Sequence, residues 1–388
     1  MRITRVEATW VRVPIPPERQ HVSDFGKVAS FDSVLVRIET ASGRFGWGEA
    51  KAGVGSAASG YGLAAIINQD FAPLLVGQDA RDIGRLWDVL YSTPRDGYAL
   101  GRGHVLPQLG RRGLSIPAIA GVDLALWDIL GKSLGVPVWR LLGGRRVSRM
   151  PAYASGGWAD EARIGEQLVG YVDKGGFRAV KMRVGVMDGE PHRSAARVRV
   201  ARKALGPDVK LMADAHGTWT VSEAKAFCRM VEDCDLYWLE EPVTADDKAG
   251  LAEVRRSTSM PIATGESEFT RHDFREIAEL RAADILQPDP AIAGGITEGV
   301  RIAALASAFN LRLAPHLWSG APAFAAGLAL AASQSAGFIL EYSLGHNPML
   351  HDLVAEQFPV VDGELEIPER PGLGITVDED FVRRHAVS

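Results

Sequence analysis

The stretch KLMADAHGTW, from Lys210 to Trp219, decides how the rest of the chain is read. An apolar run ends in Asp214-Ala215-His216 and is followed by Gly217. On a β-strand, residues i and i+2 point to the same side. Asp214 and His216 are therefore expected to emerge together at one strand's end, facing one space. Outward from here, the chain beyond about Arg149 alternates short β-rich runs with helical stretches. The β-rich runs are MPAYAS, RAVKMRVG, VKLMADAH, LYWLEEPV, PIATGES, DILQPDP, LRLAPHLW and FILEYS. Between them lie helical patterns such as SAARVRVARKALG, SEAKAFCRMVEDC, HDFREIAELRAA and GITEGVRIAALASAFN. Strand, helix, strand at this spacing demands parallel pairing through crossover helices. Eight strands separated by seven helical segments predict a closed α/β barrel rather than an open sheet.

Residues 1–115 lack that rhythm. RITRVEATWVRVPI and FDSVLVRIETASGRFGWGEA read as antiparallel strands, the second folding back through the turn ASGR. Helical segments follow at YGLAAIINQDFAPLLVG and DIGRLWDVLYS. The expected organisation is an α+β unit over residues 1–125, a barrel over 126–349, and a tail over 350–388 that packs back on the N-terminal unit. The 388 residues are 46% hydrophobic and 23% charged, with a net charge of −5, so nothing suggests a nucleic-acid partner. Cys228 and Cys234 have no metal-ligand spacing and read as buried thiols. The N-terminus MRITRVEATW has no apolar signal core, and GAPAFAAGLALAASQSAGF reads as a buried helix rather than a membrane span. A cytoplasmic enzyme is expected.

The C-terminal strand ends of an α/β barrel form its active face. Here they carry Lys181 and Arg183, Asp214 and His216, Glu240 and Glu241, Glu266, Asp289, His316 and Glu341. Gathered carboxylates repel and desolvate one another, so a positive group should sit among them. Asp214, Glu240 and Glu266 follow at equal intervals, one βα repeat each, and should project from three adjacent strands towards one point. Three hard oxygen donors without cysteine favour Mg²⁺, or Mn²⁺, over zinc. Any one of these acids alone reads more simply as a helix cap; three in register do not. Lys181 and Arg183 share a side by the same two-residue period. A lysine desolvated beside another cation has a lowered pKa and can act as a base, although binding a substrate carboxylate is the simpler role for Arg183. Asp289 is placed to hold the His316 imidazole in one tautomer.

Taken together, KMR, DAH, WLEEP, ATGES, QPDPAIAGGIT, APHLW and LEYS resemble the enolase superfamily, mandelate racemase-like subgroup. The likeness extends to GWGEA and GVDLALWDILGKSLGVPVWRLLGG in the N-terminal unit. It implies a modified (β/α)7β barrel of the TIM type, with an α+β capping domain completed by the C-terminal tail. It implies one Mg²⁺ per subunit on Asp214, Glu240 and Glu266, with the Asp289–His316 dyad on one substrate face and Lys181–Arg183 on the other. Glu341 would match the family's acid that hydrogen-bonds the substrate carboxylate, and burial among acids should keep it protonated. A small carboxylate substrate and a homo-oligomer are implied as well. Such chemistry fits the parts: a proton α to a carboxylate is too weakly acidic to leave unless a cation stabilises the enediolate.

The sequence departs from the subgroup's usual Lys-x-Lys motif, because the second lysine is Arg183. Arginine stays protonated, so His316 becomes the leading base and two-base racemisation is disfavoured. His216 stands where racemase-like relatives often carry asparagine, and resembles the galactonate dehydratase branch, where this histidine serves at the β-hydroxyl. A second-shell contact to the metal carboxylates is its plainer role. The resulting expectation is a Mg²⁺-dependent acid-sugar dehydratase acting on an aldonate or aldarate to give a 2-keto-3-deoxy acid. A lactone cycloisomerase or an epimerase using the same enediolate is the alternative. Three loops, residues 19–30, 49–56 and 93–104, are expected to close over the barrel, with His21, Lys51 and Arg95 as candidate substrate contacts.

Overall fold

The computed structural model describes residues 1–20, 22–23, 26–52, 59–92 and 112–387. The chain begins with three antiparallel strands, β1 (Ile3–Pro14), β2 (Ser30–Thr40) and β3 (Phe45–Ala50), with β2 in the middle. Along β2 a continuous apolar run keeps Val34, Leu35 and Val36 all fully buried, because both faces of the sheet are covered. Helices α1 (Ser59–Ala65), α2 (Ile83–Ser92) and α3 (Ser115–Leu134) complete the capping unit. Helix α3 lies so close on β3 that a Cβ at Gly48 would stand 2.0 Å from the carbonyl oxygen of Gly121. It runs unbroken through residue 125 and ends where Gly135 takes φ 70°, a left-handed cap suited to glycine.

The barrel strands are β4 (Arg149–Gly156), β5 (Ala179–Arg183), β6 (Lys210–Asp214) and β7 (Leu236–Glu240), then β8 (Ile262–Thr264), β9 (Ile285–Leu286), β10 (Arg312–Leu313) and β11 (Leu340–Ser343). Strands β4 to β10 pair in parallel in chain order. Strand β11 returns to pair in parallel with β4, and a parallel bridge from Leu313 to Gly337 closes the ring. Between them run seven crossover helices: α4 (Ile164–Gly175), α5 (Pro191–Leu205), α6 (Val221–Met230), α7 (Lys248–Arg256), α8 (Thr270–Glu279), α9 (Gly295–Ala308) and α10 (Ala321–Ser333). Every residue of α10 is buried, as its uniformly small and apolar sequence requires, and no described helix is long and apolar enough to cross a membrane. Cys228 and Cys234 are buried free thiols.

The tail serves both units. Its strands β12 (Val360–Val361) and β13 (Glu364–Glu366) form a hairpin that extends the barrel sheet antiparallel to β4. The last helix, α11 (Glu379–His385), leads to Val387, whose amide donates to the carbonyl of Trp10 on β1. Capping unit and barrel are pinned together by side chains: the Trp87 indole donates to the Gly294 carbonyl at 2.8 Å, and Asp123 accepts from the Thr297 amide at 2.9 Å.

Candidate active site

The floor of the site is a layer of buried side chains, one from each barrel strand, from Tyr153 on β4 to Ile339 before β11. A strand repeats its facing every two residues, so the next layer towards the C-terminal face is fixed two positions on. That layer reads Ser155, Lys181, Asp214, Glu240, Gly265, Gln287, His316 and Glu341. The apolar layer thus gives way within one pleat to a ring of titratable groups. At β8 the ring position is a glycine at φ 139°, where a Cβ would stand 2.6 Å from the Phe274 ring. The chain there turns sharply, and Glu266 rather than residue 265 supplies the side chain.

Asp214, Glu240 and Glu266 are 2%, 1% and 8% exposed, and each places a carboxylate oxygen within 4.8 Å of the others. Glu240 is oriented by three donors: Lys181 Nζ on Oε1, and the Trp238 indole at 3.0 Å and Gln287 amide at 2.7 Å on Oε2. Lys181 Nζ also lies 3.4 Å from Asp214 and 2.9 Å from Glu341, and Arg183 Nη1 is 2.9 Å from Asp214. Buried oxygen donors converging in this way fit a divalent cation of the Mg²⁺ type.

Two imidazoles flank this cluster. His316 Nδ1 is 2.8 Å from Asp289 Oδ2, and its Nε2 faces Glu266 Oε2 at 3.5 Å. His216 Nε2 meets the other oxygen of the same carboxylate, Glu266 Oε1, at 3.0 Å. His216 gets there differently from the way the sequence pattern suggests. Strand β6 ends at Asp214, and His216 sits at φ 52°, with its amide donating to Asp214 Oδ1 at 3.0 Å. A left-handed turn, not strand alternation, points it into the site.

The capping unit contributes two residues from the end of β3. Glu49 is fully buried and accepts from the amides of Gly320 (2.7 Å) and Ala323 (3.2 Å) at the start of α10, and from Ser33 Oγ. Lys51 Nζ donates to the Trp318 carbonyl. Both therefore hold the segment that follows His316. Within it, the Leu317 amide (2.8 Å) and the Trp318 indole (3.2 Å) donate to Glu341. His21, Arg95 and the loop 93–104 lie outside the described residues. The sequence reading had assigned no role to Glu49, Gln287 or Trp318. Gln287 was recoverable, since it stands two residues beyond Ile285 in the ring.

Two electrostatic expectations are corrected. Burial alone would lower Lys181, but Glu240, Glu341 and Asp214 outweigh it and hold its pKa well above the ordinary lysine value. In this arrangement Lys181 is held as a cation by the carboxylates around it. Burial alone would raise Glu341, yet Lys181, His316 and the Leu317 amide bring it down to about 2. It is an ionised acceptor in this arrangement, contrary to the protonated acid anticipated. For His316, burial opposes charge, while Glu266, Glu341 and Asp289 raise it to about 9. Glu240 is pushed up to about 7 by burial despite Lys181.

Comparison with known proteins agrees with this fold. Residues 5–143 match the mandelate racemase / muconate lactonizing enzyme N-terminal domain, and residues 163–381 match the enolase C-terminal domain-like family. The chain belongs to the enolase superfamily, in its mandelate racemase-like subgroup. It is 35% identical to the D-galactarolactone cycloisomerase of Agrobacterium fabrum over 89% of both chains. It is 36% identical to the D-galactonate dehydratase of Ralstonia nicotianae over 90% of both. The crystal structure of a racemase from Streptomyces coelicolor with bound magnesium superposes with a TM-score of 0.85 at 32% identity, covering 99% of this chain and all of that one (100%).

Proposed function

We propose that this enzyme is a Mg²⁺-dependent acid-sugar dehydratase, acting on an aldonate or aldarate of the galactonate type. The observation that carries the reading is the pair of imidazoles, His216 and His316, on the two oxygens of Glu266. β-Elimination needs a base for the α-proton and an acid for the departing hydroxide, and two histidines on either side of one carboxylate supply both. His316, in its neutral imidazole form and steadied by Asp289, takes the α-proton at Nε2. The carboxylate charge that otherwise keeps this ring protonated would be opposed by a cation held on Glu266. His216 delivers a proton to the β-hydroxyl oxygen. Asp214, Glu240 and Glu266 hold the cation, which when bound supplies positive charge to the substrate carboxylate as negative charge builds on it. Arg183 orients a carboxylate or hydroxyl, and Lys181 fixes the carboxylate array. Lys51, with His21 and Arg95, reads the distal end of the substrate. Residues 1–125, with the 350–388 tail packing back on them from the barrel edge, serve as the cap and 126–349 as the catalytic barrel, in a homo-oligomer.

A lactone cycloisomerase using the same residues is the second reading, favoured by the likeness to the Agrobacterium fabrum enzyme. An acid-sugar library assayed with Mg²⁺ for α-keto acids, with the α-proton followed by NMR in D₂O, separates the two. Keto acid that is lost in His316→Asn and Glu266→Gln supports dehydration. A rearranged product, or deuterium exchange without keto acid, sinks it.

A further inference from the structure

Glu241 follows the proposed ligand Glu240 and has no part in the reaction above. Its backbone is held at φ 40°, a conformation costly for any residue but glycine. The side chain is 3% exposed, and Oε1 is enclosed with no hydrogen-bond partner among the described residues. A buried carboxylate oxygen in that state is expensive unless something positive comes to it. Facing it are Glu266 and His216, and one ligand atom from each of the three lies within 4.8 Å of the others.

We propose that His216, Glu241 and Glu266 form a second divalent-cation site beside the Asp214–Glu240–Glu266 site. The proposal rests on the reading of Glu266 as a metal ligand. Two-metal sites hold their ions about 3.5–4 Å apart, a separation that one carboxylate bridges when each of its oxygens binds one ion. The two sites differ in chemistry. The first offers only hard oxygens, whereas the second adds an imidazole nitrogen, which favours Mn²⁺, Co²⁺ or Zn²⁺ over Mg²⁺. A cation there ties up His216, the group proposed to protonate the leaving hydroxide. The first ion therefore activates and the second inhibits, so Mn²⁺ in excess slows an enzyme that Mg²⁺ in excess does not.

The test is a metal count on the full-length protein, stripped with chelator and dialysed against Mn²⁺ or Mg²⁺. Wild type is expected to hold two Mn²⁺ per chain but one Mg²⁺, with spin-coupled lines in the Mn²⁺ electron paramagnetic resonance spectrum. Glu241→Gln should weaken the second Mn²⁺ by about 10- to 100-fold and abolish the coupling. His216→Asn should do the same, and it serves if the glutamate variant fails its circular-dichroism check for folding. One Mn²⁺ per chain in saturated wild type overturns the second site and leaves the first. No bound Mn²⁺ overturns both, and two that persist in both variants place the second ion elsewhere and overturn the assignment.

Discussion

Lys181 shows how little room the site leaves for an isolated change. Its ammonium touches three carboxylates, and each of them lies buried at 3% side-chain exposure or less. Lys181→Met leaves those acids facing one another, and breaking a buried ion pair costs about 3–5 kcal/mol. The metal-free protein should melt well below wild type, and Mg²⁺ should recover part of the loss; equal melting of the two metal-free proteins would refute the role. For the base, Asp289→Asn and His316→Asn are each expected to lower kcat by about 10²–10⁴-fold, with bound Mg²⁺ unchanged by metal analysis. At this scale the sequence is uneven in what it discloses. Asp214, Glu240 and Glu266 were legible because the βα repeat spaces them evenly. The charge states of Lys181 and Glu341 were not, because they depend on which neighbour lies at 2.9 Å, and a strand pattern does not state distances.

Among elements, the informative contacts are those that helices receive at their N-termini. Glu49 at the end of β3 satisfies two amides at the start of α10. Glu49→Ala leaves both donors buried without partners, at about 1–3 kcal/mol each. We expect a lower melting midpoint together with a fall in kcat, since the same segment carries His316; a shift in stability with kcat intact would separate the two. Asp123 on α3 plays a similar part for α9 through the Thr297 amide and hydroxyl. Burial raises its pKa to about 7, against roughly 3.9 for a free aspartate. The folded protein thus holds this proton more tightly than the unfolded chain. The stability it contributes is full below about pH 4 and is lost as pH rises through about 7. Asp123→Asn should flatten the decline in melting temperature across that window, and an unchanged slope would remove Asp123 as its source. Strands and helices of the barrel were readable from apolar runs and turn residues. These docking contacts were not, because Glu49 and Gly320 are 271 positions apart and Asp123 and Thr297 are 174 apart, in a sequence that gives no sign of either neighbourhood.

For the molecule as a whole, the proposed cation would be the largest single charge in the site. Because the three acids are brought together only by folding, the proposed metal would bind the native state alone. At a hundredfold excess over its dissociation constant it should add about 2.7 kcal/mol. Chelation should therefore lower the melting temperature of wild type and leave that of Glu266→Gln unmoved. The barrel could be anticipated because its eight strands repeat one local rule. The cap has no such repeat, and part of it that was expected to meet substrate falls outside the described residues. What the cap does at Glu49 and Lys51 has a practical consequence for redesign. The unit expected to choose the substrate also grips the segment that aims the base. A chimera that borrowed another protein's cap would import a new alignment of His316 along with a new specificity. A graft that kept residues 49 and 51 in place would let one trait be changed while the other stayed put.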